Sequence, residues 1–325
     1  MKNNLAIIGV GQLGSRHLQS LADLDREKFN IFVFDTNKNS LEIAKERYKQ
    51  SVKAHSPKVF YTDDFSELPK EFQTVIVATS SLVRRKAVEN LLQQSKVQFL
   101  ILEKFLFPSI EDYKTISDLI LEQGVIAYVN TPRRTFDYYE SLKPNISFPF
   151  HLTVSGSNWG LACNTIHYLD LFSYFSGNED IDIINNLDEG IQESKRAGYI
   201  EFTGSLLIKD KLHNTLVISS FKEDKRPSVV SISDSKQNIV IHESILSKMM
   251  RFFDSGNGYL YEETPIQIKF QSQMSSTFIN DLASHGVCKL APYEKSQKLH
   301  IKLLEVFLSH YNRTTQQNHK LCPIT

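Results

Sequence analysis

The chain has 325 residues, 41% hydrophobic and 23% charged, enough for about two domains with sizeable cores. Its 37 Lys and Arg balance 37 Asp and Glu, and no apolar run reaches the ~20 residues that cross a bilayer, so neither nucleic acid nor a membrane is an expected partner. Cys163, Cys288 and Cys322 are too few and too far apart for a disulfide framework or a metal motif, which fits the reducing cytoplasm.

The chain enters its first strand at once, leaving no room for a signal peptide. Residues 5–8 (Leu-Ala-Ile-Ile) have the composition of a buried parallel strand. Gly9, Gly11 and Gly14 follow in the spacing G-x-G-x-x-G around Gln12 and Leu13, and residues 15–22 read as the next helix. Such a loop needs glycine for the tight turn, for close approach of a pyrophosphate, and for packing of helix on strand. The phosphates would meet the free N–H groups at the helix N-terminus. A second apolar strand, residues 30–35, ends in Asp35, about 20 residues past the glycines, where a carboxylate binds the ribose hydroxyls of NAD. Asp35 favours NAD. Thr36 and Lys38 leave NADP as the alternative.

The alternation continues. A helix over 40–48 with Ser40 as its cap is followed by strands at 59–61 and 74–78, the latter opening into Thr79 and Ser80. Next come a helix over 82–94, a strand at 99–102 ending in Glu103 and Lys104, a helix over 109–123, and a strand at 125–129 expected to close the sheet. Strands and helices at these intervals predict a doubly wound parallel sheet. The character then changes. Past a helix over 137–142, β-rich runs at 151–154, 199–202, 205–208, 215–219, 228–232 and 239–242 predict one open, mostly antiparallel sheet, with a helix over 160–177 inserted early. Two more helices are expected, over 274–284 and 293–311. The domains are therefore expected at 1–132, an NAD(P)-binding Rossmann domain, and 133–325, an α+β domain for substrate and oligomerisation. The β runs are too many for one small closed barrel, and a second copy covering the open face would give a homodimer or homotetramer with two-fold symmetry.

With these pieces placed, the chain resembles the glucose–fructose oxidoreductase/inositol dehydrogenase (Gfo/Idh/MocA) family. The glycine loop, the Glu103-Lys104 pair, the helix with His167 and Asp170, and the closing Leu321-Cys-Pro-Ile-Thr325 carry the resemblance. It implies a Rossmann domain, a second domain on an open sheet, a nicotinamide cofactor, and redox chemistry at a sugar or cyclitol hydroxyl. Three positions depart from the family pattern. Phe105 stands where proline usually follows Glu-Lys, Cys163 replaces an acid, and Arg84 or Arg85 stands near a usual histidine.

The cofactor set expected is Gly9, Gly11, Gln12, Leu13, Gly14, Asp35, Thr79, Ser80, Glu103 and Lys104. As catalytic groups, Lys104 polarises the substrate oxygen and His167 moves its proton, the two coming from different domains. Residues at i, i+3 and i+4 share a helix face, so Cys163, His167 and Asp170 are expected to project together, with Asn164 beside them. Arg134 could meet an anionic group through bidentate contacts, and Trp159 could stack on a sugar ring, although plain packing explains the tryptophan better. The substrate set is thus Arg134, Trp159, Cys163, Asn164 and Asp170. The expected activity is NAD(P)-dependent hydride transfer to or from a carbinol or carbonyl of a sugar, cyclitol or sugar-nucleotide-like substrate. A redox-neutral lyase or hydrolase and a non-catalytic nucleotide sensor are the alternatives.

Overall fold

Residues 2–222, 224–244 and 246–325 are described by the computed structural model. The first apolar runs become six parallel strands: β1 (Asn3–Ile8), β2 (Phe29–Phe34), β3 (Lys58–Thr62), β4 (Glu71–Val77), β5 (Lys96–Glu103) and β6 (Ile126–Asn130). They lie in the order β3-β2-β1-β4-β5-β6, the doubly wound arrangement. Residues 5–8, 75–77 and 99–102 are buried on both sheet faces, which is why they read as unbroken apolar runs. The connecting helices are α1 (Gly14–Ser20), α2 (Lys38–Lys49), α3 (Ser81–Gln94) and α4 (Ile110–Glu122). Helix α2 starts earlier than expected because Asn37, not Ser40, caps it. Asn37 Oδ1 accepts from the backbone N–H groups of Asn39 (2.9 Å) and Ser40 (3.2 Å).

Register brings the strand ends level. Ile8 pairs with Val77, Val77 with Leu102, and Glu103 with Asn130. The loops that begin at Gly9, Ala78 and Lys104 therefore leave one sheet edge. Strand order reverses between β1 and β4, the place where doubly wound sheets bind ligands.

The second sheet has eight strands: β7 (His151–Ser157), β8 (Ile181–Leu187), β11 (Gly204–Asp210), β12 (Thr215–Phe221), β13 (Arg226–Ser233), β14 (Gln237–His242), β15 (Lys248–Asp254) and β16 (Tyr259–Pro265). The short strands β9 (Gln192–Glu193) and β10 (Ile200–Glu201) pair with each other. In the order β16-β15-β14-β13-β7-β12-β11-β8, every neighbour is antiparallel except β7 and β12. One face is the core of this unit: Leu152, Val154, Leu206, Ile208, Leu216, Ile218, Val230 and Ile232 are fully buried. The alternate residues Thr153, Leu207, Val217 and Val240 are only half-buried. Helices α5 (Asp137–Leu142) and α6 (Leu161–Ser176) belong to this unit.

The two units do not divide the chain at 132/133. The first holds the chain to Phe107, Glu111–Asn130 and also Lys269–Glu294; the second holds Pro108–Ile110, Thr131–Ile268 and Lys295–Thr325. The returning segment carries α7 (Ser275–His285) and a two-residue strand, Ala291–Pro292, antiparallel to β6, so β6 is not the sheet edge. Two residues show no periodicity, and their partner lies far away in sequence. Helix α8 (Tyr293–Thr315) follows. The unexpected β15 is half-buried at most positions and β16 is exposed at every one, so neither shows a buried/exposed alternation. Among the described residues, no helix is long and apolar enough to cross a membrane.

Candidate functional site

In the first unit, the glycine loop meets the steric demands that its spacing implied. Gly9 has φ 86°, and a Cβ there would lie 2.8 Å from Thr79 Cγ2. A Cβ on Gly14 would lie 2.0 Å from the Gly9 carbonyl oxygen, so helix and loop can close only without one. At Gly11 a Cβ would meet nothing within 4 Å; this side of the loop is open to a ligand. Leu13 offers no side-chain cap to α1, and Thr79 Oγ1 is buried with no partner among the described residues. An open cradle, an uncapped helix start and an orphaned hydroxyl fit a dinucleotide. Asp35 stands beside this loop, half-buried. Its Oδ2 accepts from Val10 N–H (2.8 Å) and its Oδ1 from Asn37 N–H (2.9 Å). Arg47, which sequence reasoning missed, holds the loop from outside by donating to Gln12 Oε1 (2.8 Å) and Ser15 Oγ (2.5 Å).

Over residues 99–108, Lys104 alone is not buried. The peptide bond from Lys104 to Phe105 is cis. Glu103, expected among the cofactor residues, turns its carboxylate inward. Its Oε1 lies 2.7 Å from His17 Nε2 and accepts from Asn130 Nδ2. His17 Nδ1 lies 2.8 Å from Ser275 Oγ, and Asn130 also donates to Gln271 Oε1 (2.9 Å). This network joins α1, β5, β6 and the returning segment inside one unit. Only the position of His17, three residues past Gly14, signalled it. Burial pushes the Glu103 carboxyl up, but hydrogen bonds from His17 and Asn130 and the charges of His17 and Arg84 hold it below the usual carboxylate range. A depressed folded-state pKa stabilises above the unfolded value of about 4.3 and loses that stabilisation as pH falls through the folded value. The gap in melting temperature between the native protein and Glu103→Gln should therefore be widest above pH ~4.3 and close on acidification; a gap that widens toward low pH would contradict it.

Arg84 and Arg85 are both engaged by groups of the protein itself. Arg84 is 1% exposed and donates to the carbonyl oxygens of Thr79, Phe105 and Leu106. Arg85 is held by Glu89 (3.0 Å) and Asp112 (2.8 Å).

In the second unit, α6 runs between Gly160 (φ 84°) and Gly177 (φ 70°). Gly160 has no side chain to cap it, so Glu201 of β10 does so: Oε2 accepts from Ala162 N–H (2.8 Å) and Oε1 from Cys163 N–H (3.3 Å). Nothing local in the sequence marked Glu201 for this. Most of α6 is buried, and its half-buried positions, Cys163, Asn164, His167 and Tyr174, form one stripe. Asp170 lies at the rim of the same arc but is fully buried, and it holds Arg134 in a bidentate pair, Nε to Oδ2 and Nη2 to Oδ1, both 2.8 Å. Burial pushes the Asp170 carboxyl up, with Arg134 pulling against it. Both residues expected at the substrate are engaged by each other. Arg133 is likewise internal, over the Tyr168 ring (4.3 Å) and paired with Glu243, which also accepts from Tyr138 (2.9 Å) and Tyr139 (2.8 Å). Asn164 Nδ2 donates to the Trp159 and Gly160 carbonyls (3.0 Å each). Trp159 donates to the Ser219 carbonyl (2.9 Å) and lies edge-on to Tyr168.

Known proteins share this architecture. Residues 3–131 match the model of a family described as oxidoreductases with an NAD-binding Rossmann fold. No curated protein matches the chain. Among solved structures, an oxidoreductase from Agrobacterium radiobacter in complex with NAD+, L-tartaric acid and magnesium is 16% identical, with 96% of this chain and 97% of that one covered and a TM-score of 0.72. The scyllo-inositol dehydrogenase of Lactobacillus casei, with NAD(H) and scyllo-inositol bound, is 16% identical over 96% and 98%, TM-score 0.67. A super-repressor mutant of Gal80p from Saccharomyces cerevisiae is 14% identical over 98% and 99%, TM-score 0.70. At these identities the structures speak for the fold. Over residues 3–131 the chain is thus similar to the Gfo/Idh/MocA oxidoreductases, a family described by its NAD-binding Rossmann fold.

Proposed function

We propose that the protein transfers a hydride between nicotinamide and a carbinol or carbonyl carbon of a sugar, cyclitol or sugar-nucleotide-like substrate. The observation that carries this reading is Lys104, the one partly exposed residue in an otherwise buried segment, leaving the sheet edge that also bears the glycine loop. NAD supplies the hydride acceptor or donor. The Lys104 ammonium polarises the substrate oxygen and stabilises its developing negative charge. His167, on the half-buried stripe of α6, takes the hydroxyl proton or returns it. Cys163 and Asn164 share that stripe and contact the substrate. Relatives in fold hold tartaric acid and scyllo-inositol, both polyhydroxylated, which supports the substrate class.

A redox-neutral sugar lyase would use the same groups in a closed cycle. A nucleotide sensor would need none of them. Absorbance in the reduced-nicotinamide band, followed while polyols and sugars are added to protein and NAD, separates the three. Net reduction supports the dehydrogenase, turnover of sugar without net reduction the lyase, and binding without turnover the sensor.

Asp35 sets the cofactor. Each carboxylate oxygen accepts one backbone N–H and keeps a lone pair for a ribose hydroxyl. A 2′-phosphate would meet like charge instead, and Lys38, which could offset it, is paired with Asp63 (3.1 Å). We expect NADP to bind at least about tenfold more weakly than NAD, with Asp35→Ser narrowing the gap. Calorimetric titration with both nucleotides checks this, and equal affinities would refute it.

The open face of the eight-stranded sheet carries the assembly reading. Ile184 is 53% exposed there and Phe221 49%, with Leu207 and Val217 half-buried beside them. A second copy covering this face would form a two-fold dimer, or a tetramer of such dimers. Light scattering at micromolar concentration should return at least twice the chain mass; a monomer would exclude it.

A further inference from the structure

We propose that Arg84 is a positioning residue whose buried guanidinium locks the loop after β4 to the loop after β5. On the reading above, those loops carry Thr79 and Ser80 for the cofactor and Lys104 for the substrate, so the inference rests on it. The physical need is clear from the ends of the ladders. Strand β5 stops at Glu103, yet Phe105, Leu106 and Phe107 are fully buried. Their backbone groups have left the sheet and must find other partners. The Tyr113 hydroxyl serves Phe107, accepting from its N–H (3.3 Å) and donating to its carbonyl (3.1 Å). Arg84 serves the other two carbonyls, donating through Nη1 to Leu106 O (2.8 Å) and to Phe105 O.

Tyr113 holds one loop only. Arg84 reaches across to a second, because its Nη2 donates to the Thr79 carbonyl at the end of β4. A planar fork with five donors can bridge two loops at once, whereas an ammonium is a compact point charge on a flexible stem. The charge also bears on Glu103, whose carboxylate it helps keep ionised one residue before Lys104.

Hydrogen exchange on the free protein and binding of NADH test this with Arg84→Lys, Arg84→Gln and Tyr113→Phe. In Arg84→Lys the amides of 79–81 and of 104–107 should exchange faster together, by about tenfold or more, while the rest of the first unit keeps its rates. NADH affinity should fall by a similar factor and the emission of bound NADH should shift, at temperatures where the circular dichroism is native. Arg84→Gln should behave alike and serves if the lysine variant does not fold. Tyr113→Phe should loosen 104–107 alone. The proposal fails if either Arg84 variant folds and leaves both segments as protected as in the native chain, or loosens only one of them. It fails equally if both segments loosen without change in NADH affinity and emission. Should the native protein bind no NADH, the functional reading falls, and the exchange rates still decide whether the clamp exists.

Discussion

Lys104→Ala should lower turnover on the true substrate by about 100- to 10,000-fold, the range one positioned polar group contributes, with NAD affinity nearly unchanged. The separation is expected because the proposed pyrophosphate cradle consists of backbone around Gly9, Gly11 and Gly14. His167→Ala should cost a similar factor. Since the proposal has both groups acting on one oxygen in one transition state, the double variant should lose less than the product of the single losses. Near-normal turnover in either single variant would remove that residue from the mechanism. Asn164 or Cys163, on the same stripe, would then be tested in place of His167; Asp170 would not, because Arg134 holds it.

Asp170→Ala should destabilise the second unit by about 3–5 kcal/mol, the cost of leaving a buried charge without its partner. The Arg134 side chain is only 11% exposed and the Asp170 side chain 1%, so water cannot readily replace the lost carboxylate. Arg134 also lies over the Tyr174 ring at 5.1 Å, which keeps the guanidinium in place after the substitution. Replacing both members together, Arg134→Met with Asp170→Leu, should cost clearly less than Asp170→Ala alone. Denaturant unfolding of the three proteins measures this. A loss under about 1 kcal/mol for Asp170→Ala would mean the pair behaves like a surface ion pair.

The pair shows where reading the chain reaches its limit. Helical spacing correctly put Cys163, Asn164 and His167 on one face, since 3.6 residues per turn is a local property. It also put Asp170 there, at the rim of the same arc, and spacing cannot say whether a rim residue turns outward or finds an arginine from another element. The same limit applies at Glu103. That it ends a buried strand was legible from residues 99–102, while the direction of its carboxylate depends on His17, Asn130 and, through them, Gln271 and Ser275.

What the sequence determined by itself is what near neighbours enforce. The glycine loop is readable because a Cβ at Gly9 or Gly14 would collide with atoms that any strand-turn-helix of this kind places there. The parallel order of β1 to β6 follows from alternation of apolar runs with helices, and α6 from its periodicity between two glycines. Only the tertiary structure decided which distant groups meet. Lys269–Glu294 rejoins the first unit, Ala291 pairs with Val129, Glu201 caps α6, and Arg84 reaches the carbonyl of Phe105. Each of these satisfies a buried polar group or an open sheet edge, and such demands are met by whichever donor or acceptor the folded chain brings close, at any distance in sequence.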